Sequence, residues 1–322
     1  MGLLLSTGVL MIGMQAYFTL KKQTVKQEEA YQDLSVSRAI AQHLGQDIRF
    51  CGYIGPRTLD ASYPVRSTLY KSIMPYSIFS AEKAIFGFRS DLNVCLRYLP
   101  LSTCKRMKVG SDVILLHNIP KHCVGIAEFS QKRPHRLQTQ TPTSIQEGSV
   151  CLVANAYGAD VFVATLVDQN YIVHDKQVRR NGSGVLSQRY GQEAFVCELQ
   201  TVAYYLGVPD RFDGQYALYR DHVFQPAQEL ADGLQSIHAQ YGVFVQSNQI
   251  EFREASHMTE KDWPWVQTVR LQFKTQKGET YHYEFSIRNR NRLGVRDSVV
   301  DGNVHANSTS SQANIIRNSF NE

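Results

Sequence analysis

"HLGQDIRFCGYIGP", residues 43–56, decides how this chain is read. It opens as the end of a charged amphipathic helix and breaks at a Cys-Gly-Tyr-x-Gly-Pro turn. Upstream, Gln27 to Phe50 contains no proline and one glycine, Gly45. Ala30, Leu34, Ala41, Leu44 and Ile48 recur at spacings of four, seven, three and four, which draws one narrow apolar stripe along a helix. Glu28, Glu29, Gln32, Asp33, Arg38, Gln42 and Gln46 fall on other faces, and Asp47 and Arg49 are expected on the wetter side. Gly52 and the Gly55-Pro56 pair then supply stop signals. A helix is therefore predicted from the N-terminus to about residue 50, roughly 75 Å long at 1.5 Å per residue.

The start of that helix has a different character. "MGLLLSTGVLMIGMQAYFTL", residues 1–20, carries no charge, and its length matches a bilayer core. A cleaved signal would show a basic region before the apolar run and a small-x-small site after it, and neither is found around this run. The expectation is a membrane-inserted first half, with Leu3, Leu4, Leu5, Val9, Leu10 and Ile12 as its packing positions. Lys21, Lys22 and Lys26 follow the span, which would place the rest of the chain in the cytoplasm. Six cysteines (Cys51, Cys95, Cys104, Cys123, Cys151 and Cys197) with no CxxC pair point instead to disulfides in an oxidising compartment. A short basic leader ahead of Met1 would reconcile the two signals. Cys95 and Cys104 suit a small closed loop, and Cys51 is a candidate staple between helix and strands. Six cysteines allow fifteen pairings, so the connectivity is open.

Downstream the chain reads mainly as strands. "SDVILLHNI" (111–119), "EAFVCELQTVAYYL" (193–206), "GQYALYR" (214–220), "YGVFV" (241–245), "VQTVRLQFKT" (266–275) and "TYHYEFSIRN" (280–289) are β-branched or aromatic runs. "SVCLVANAYGADVFVATLV" (149–167) is two such runs around a Tyr157-Gly158 break. "QELADGLQSIHAQYG" (228–242) fits either a short helix or a bent strand, because Gly233 weakens both. Residues 130–148 and 174–191 read as long polar loops, and the end from about Arg292 as a polar, mobile tail.

The net charge of +5 over 322 residues is too mild to require nucleic acid as a partner. "NGSGV" (181–185) lacks the strand–loop–helix setting of a phosphate cradle. His117, His122 and Cys123 match no standard metal spacing, and a surface histidine beside a disulfide cysteine explains them more simply. No nucleophile elbow or distinctive carboxylate pair stands out. The expectation is a non-catalytic protein with no metal and no cofactor.

One resemblance gathers these observations. "AIAQHLGQDIRFCGYIG" is similar to the helix-closing pattern of PilW-like minor pilins, Leu-x-x-Asp-Ile-Arg-x-x-Gly-Tyr-x-Gly, at Leu44, Asp47, Ile48, Arg49, Gly52, Tyr53 and Gly55. "GSDVILL" and "CLVANAYGADVFVAT" (with Ala159, Asp160, Val161, Phe162 and Thr165) resemble later segments of that family. "VAYYLG", "YALYRD", "ELADGLQSIHAQYGV", "VQTVRLQF" and "FSIRNR" follow in the same order, over about residues 1–291. The resemblance implies an α+β, type IV pilin-like fold: a long N-terminal α-helix with a membrane-inserted first half, then a β-rich antiparallel head. The corresponding segments are a span at 1–26, an amphipathic helix at 27–50, a periplasmic head at 51–291 and a tail at 292–322. It further implies a role in priming type IV pilus assembly, with other minor pilins, the major pilin and the inner-membrane assembly machinery as partners. The implied location is the bacterial inner membrane with a periplasmic head, and later the pilus. A type II secretion pseudopilin of the GspJ kind and a tip adhesin are the alternatives.

Overall fold

A computed structural model describes residues 2–53, 55, 64–69, 83–129, 134–175, 181–182, 185–209, 215–222, 226–245 and 249–288, without the side chains of 2–13, 29–30, 32–36, 39 and 129. In chain order its elements begin with helix α1 (Gly2–Phe50), strands β1 (Val65–Ser67) and β2 (Ile85–Arg89), and the short helices α2 (Leu92–Cys95) and α3 (Leu101–Arg106). Strands β3 (Asp112–Phe129), β4 (Arg136–Thr139), β5 (Val150–Ala154), β6 (Ala159–Val163), β7 (Leu166–Asp168) and β8 (Tyr171–Val173) follow. The last six are β9 (Phe195–Gly207), β10 (Tyr216–His222), β11 (Gln228–Val245), β12 (Gln249–Glu254), β13 (Val266–Thr275) and β14 (Thr280–Ser286). The chain divides into two compact units, residues 1–44 and 45–322.

This architecture corrects the expected fold class. The protein is mostly one large antiparallel sheet, 49% strand against 21% helix, rather than a long N-terminal helix carrying a small head. The helix does run to Phe50. Among the described residues, however, no helix is long and apolar enough to cross a membrane. The expected membrane-inserted half, and the inner-membrane location built on it, are corrected with it. The physical reason lies in the helix's own side chains. Those described from Met14 to Glu28 include Gln15, Lys21, Lys22, Gln23 and Lys26 and are exposed. The side chains of Leu3, Leu4, Leu5, Val9, Leu10, Ile12 and Leu34 lie outside those described, as does the expected tail at 292–322.

The strand order is β14-β13-β11-β10-β9-β3-β4-β8-β7, with β12 added to β11, β2 to β3, and β5 to β9; β6 pairs with β5 and β1 with β6. The β1–β6 pairing is parallel, and the other strand pairings are antiparallel. The predicted break at Tyr157-Gly158 is the turn of the β5–β6 hairpin, in register from Val150↔Val163 to Ala154↔Ala159. The ambiguous stretch around Gly233 is strand β11, 18 residues long, and Gly233 itself takes φ +70. Long strands survive such irregularities because a bulge absorbs one extra residue while pairing resumes beyond it. In β3 the left-handed residues Asn118 and His122 mark two such places. The loop expected over 130–148 contains the short strand β4, which four polar-flanked residues did not announce.

Burial explains which strands were easiest to read. In β13, Val269, Leu271 and Phe273 are buried while Arg270 and Gln272 are exposed, so one face meets core and the other water. In β5 and β6 nearly every residue is buried, because both faces are covered. One face joins Cys151, Val153, Phe162 and Val196 around Tyr190. The other joins Leu152, Ala154, Val161 and Leu199.

Candidate functional site

Residues 45–53 end α1 inside the second unit, where Asp47 forms a polar site with β9 and β10. Helix termini leave carbonyls without partners unless the chain turns back, which a left-handed residue permits. Gly52 supplies it with φ +71. Its N–H donates to the carbonyl of His117 at 2.8 Å, and the N–H of Tyr53 donates to that of Asn118 at 3.0 Å. The helix end is thereby tied to the bulged part of β3. Gly45 serves a different need: a Cβ there would lie 2.7 Å from the ring of Phe285, so only glycine allows this approach to β14. Ile48 and Cys51 are fully buried, and the Cys51 thiol donates to the Ile48 carbonyl at 3.1 Å.

Asp47 was expected on the wet side of the helix and is buried instead, 6% exposed. Its carboxylate accepts hydrogen bonds from Arg220 Nε at 2.7 Å and Arg220 Nη2 at 3.1 Å, one to each oxygen. Tyr204 Oη donates to the same group at 2.7 Å. Tyr204 and Arg220 are direct cross-strand partners on β9 and β10, so the sheet presents both donors at one point. A buried carboxylate is tolerable only when paired and hydrogen-bonded, and this bidentate fork meets that condition. Burial, then the Asp47 charge, pushes the Tyr204 phenol well above its usual range. Burial opposes the charge on Arg220, yet the bonds from Asp47 hold the guanidinium above its ordinary value. His222, on the same strand, is pulled down to about 4 by burial and by the neighbouring Arg220 charge. Arg49 points to solvent, Tyr53 is half-buried against Phe195 with ring centroids 6.3 Å apart, and Gly55 is buried.

Two further carboxylates accept from neutral donors, each through one oxygen. Asp160, fully buried on β6, accepts from the Ser187 N–H and hydroxyl, both at 2.7 Å, and from the Tyr190 hydroxyl at 2.8 Å. These bonds strap residues 185–190 across the hairpin. Asp221 accepts from the Thr103 hydroxyl at 2.8 Å, and burial raises its carboxyl above the usual range. Such carboxylates act as struts.

The cysteines resolve into two bridges, Cys95–Cys104 and Cys123–Cys197. The first is the small loop read from the nine-residue spacing, and the second joins β3 to β9. Cys51 takes part in neither, so the anticipated staple is replaced by the Asp47 fork. Cys151 is buried on β5, where burial pushes its thiol far up. His117 is buried with Nδ1 3.4 Å from the Thr201 hydroxyl, whereas His122 is exposed beside the Cys123 bridge. No group of three or more His, Cys, Asp or Glu side chains is placed to hold a metal among the described residues. Within "NGSGV", Asn181 is a strut too, accepting from the Val163 N–H at 2.8 Å and donating to its carbonyl at 3.0 Å. Of the expected helix stripe, Leu44 and Ile48 are buried and Ala41 is half-buried, while Ile40, which the spacing missed, is buried.

Sequence reasoning therefore found Asp47 and Gly52 but missed Tyr204, Arg220 and His222. The one available signal was an arginine inside the aromatic run "YALYRDH", which forms a mostly buried strand where a cation requires a counter-charge. Compared with protein-family models, curated proteins and solved structures, the chain matches none.

Proposed function

We propose that this chain is a non-catalytic assembly subunit, a minor pilin of the PilW kind that joins other minor pilins and the major pilin to prime type IV pilus formation. The observation that carries the reading is the helix itself. Along α1, Met14, Tyr17, Phe18 and Leu20 are each about 60% exposed, and Tyr31 is 73% exposed. Contiguous large apolar side chains in water mark a surface built for a partner. The motif positions that resemble the PilW pattern are spent on ending this helix, through Gly52 and the Asp47 fork.

A clean deletion of the gene is the direct test. The expected result is loss or strong reduction of surface pili, restored by the wild-type gene and not by a Tyr17→Asp, Phe18→Asp variant. Normal piliation in the deletion strain would refute the assembly role.

A further inference from the structure

The segment from Arg89 to Gly110 is strongly basic. It holds five basic residues (Arg89, Arg97, Lys105, Arg106 and Lys108) against one acid, Asp91, in a chain whose whole net charge is +5. The one acid is already engaged, because its carboxylate caps α2 by accepting from the N–H groups of Asn93 and Val94. The same segment exposes four apolar side chains: Leu92 at 48%, Leu96 at 40%, Leu101 at 48% and Val109 at 82%.

These residues are held rigidly. The Cys95–Cys104 bridge ties α2 to α3. Cys95, Leu99, Cys104 and Met107 are buried, and Thr103 is anchored to Asp221. Leu92 and Leu96 are four apart and so share one side of α2, and Leu101 and Lys105 are four apart on α3. Backbone bonds from Gly110 N–H to the Ser90 carbonyl (2.9 Å) and from Ser90 N–H to the Ser111 carbonyl (2.7 Å) bring Val109 beside the start of α2. Arg89, Arg97 and Lys105 are exposed alongside. The result is a pre-ordered knob of aliphatic tips set among cations.

We propose that this knob docks on an anionic lipid surface, with the leucines and Val109 entering the interface and the cations meeting phosphate headgroups. The residue types favour lipid over a protein partner. Protein hot spots are rich in Trp and Tyr and poor in Leu and Val. Leucine with Lys and Arg is the composition of a surface-lying membrane contact, and each exposed cation near an anionic surface adds to the attraction. Arg89, Arg97 and Lys105 are the exposed ones, whereas Lys108 donates to the Gln235 carbonyl and Arg106 lies over Tyr219. The contact lies on the lipid surface and uses no spanning helix.

Co-sedimentation of the full chain with vesicles tests this. Vesicles of phosphatidylcholine alone would be compared with vesicles containing one quarter phosphatidylglycerol, at low and high salt. The expected result is binding to the anionic vesicles only, weakened by salt. Arg97→Glu with Lys105→Glu should lower that affinity by about tenfold or more, since each cation near such a surface contributes substantially. Leu96→Ser with Leu101→Ser should lower it comparably, while Leu166→Ser, at an exposed leucine on β7, should leave it unchanged. Circular dichroism would establish that each variant is folded. Three results would overturn the proposal: no binding of the wild type to anionic vesicles, retained binding in both knob variants, or binding to soluble polyglutamate without binding to vesicles. The last would assign the knob to an acidic protein.

Discussion

Asp47 and Asp160 are both buried carboxylates, and the protein meets them differently: both oxygens of Asp47 are bonded, but only Oδ2 of Asp160 is. Asp47 meets a cation, with Arg220 gripping both oxygens and Tyr204 adding a neutral donor. Asp160 is met by neutral donors alone, the Ser187 N–H and hydroxyl and the Tyr190 hydroxyl. The first joins parts of the chain 173 residues apart, and the second spans only 30. A charge pair suits the long link because losing either member strands the other in a dry setting. A set of neutral bonds suits the strap, since each can be lost without leaving an opposite charge behind.

The comparison breaks most easily at Asp47. Asp47→Ala leaves Arg220 buried without its partner and should cost about 3–5 kcal/mol in chemical denaturation. Replacing both residues, Asp47→Leu with Arg220→Met, should recover much of that loss, because buried ion pairs rarely beat well-packed apolar substitutes. If the double variant is no better than the single one, the fork is held by something beyond charge pairing. At the strap, Tyr190→Phe should cost less, about 1.5–3 kcal/mol, one hydrogen bond to a charged group. An equal cost at the two sites would erase the distinction.

Smaller effects sharpen it further. Gly52→Ala forces a Cβ into a left-handed turn at φ +71 and should cost about 1–2 kcal/mol, read as a shift in denaturation midpoint. His222 gives the fork a pH signature. Its folded value of about 4 lies below the ordinary 6.5, so between those limits the unfolded chain binds more protons. The stability this contributes is present above pH 6.5 and is lost as pH falls towards 4. His222→Gln should flatten the slope in that window, whereas Tyr190→Phe should leave it intact.

Much of the sheet was legible because apolar patterning maps onto burial. The alternation Val269, Leu271, Phe273 and the paired runs around Tyr157-Gly158 became β13 and the β5–β6 hairpin with little change. Short strands such as β7 and β8 have three residues each, too few for any pattern to emerge. The fold class departs from the expectation because most of the chain is sheet, 49% strand against 21% helix, and among the described residues no helix is long and apolar enough to cross a membrane. Asp47 was misplaced for a related reason: a lone carboxylate beside Ile48 reads as solvent-facing unless its counter-charge is known.

By itself the sequence determined where the helix stops and which long apolar runs become strands, and it offered Cys95 and Cys104 as suited to one small loop. These depend on local chemistry, namely glycine's left-handed freedom, β-branched periodicity and a short loop closure. Only the tertiary structure decided that Asp47 turns inward, that Cys123 meets Cys197 and that Tyr204 and Arg220 face the helix end. Each joins residues far apart in the chain, brought within bonding distance by strand register and by the packing of the helix end on the sheet.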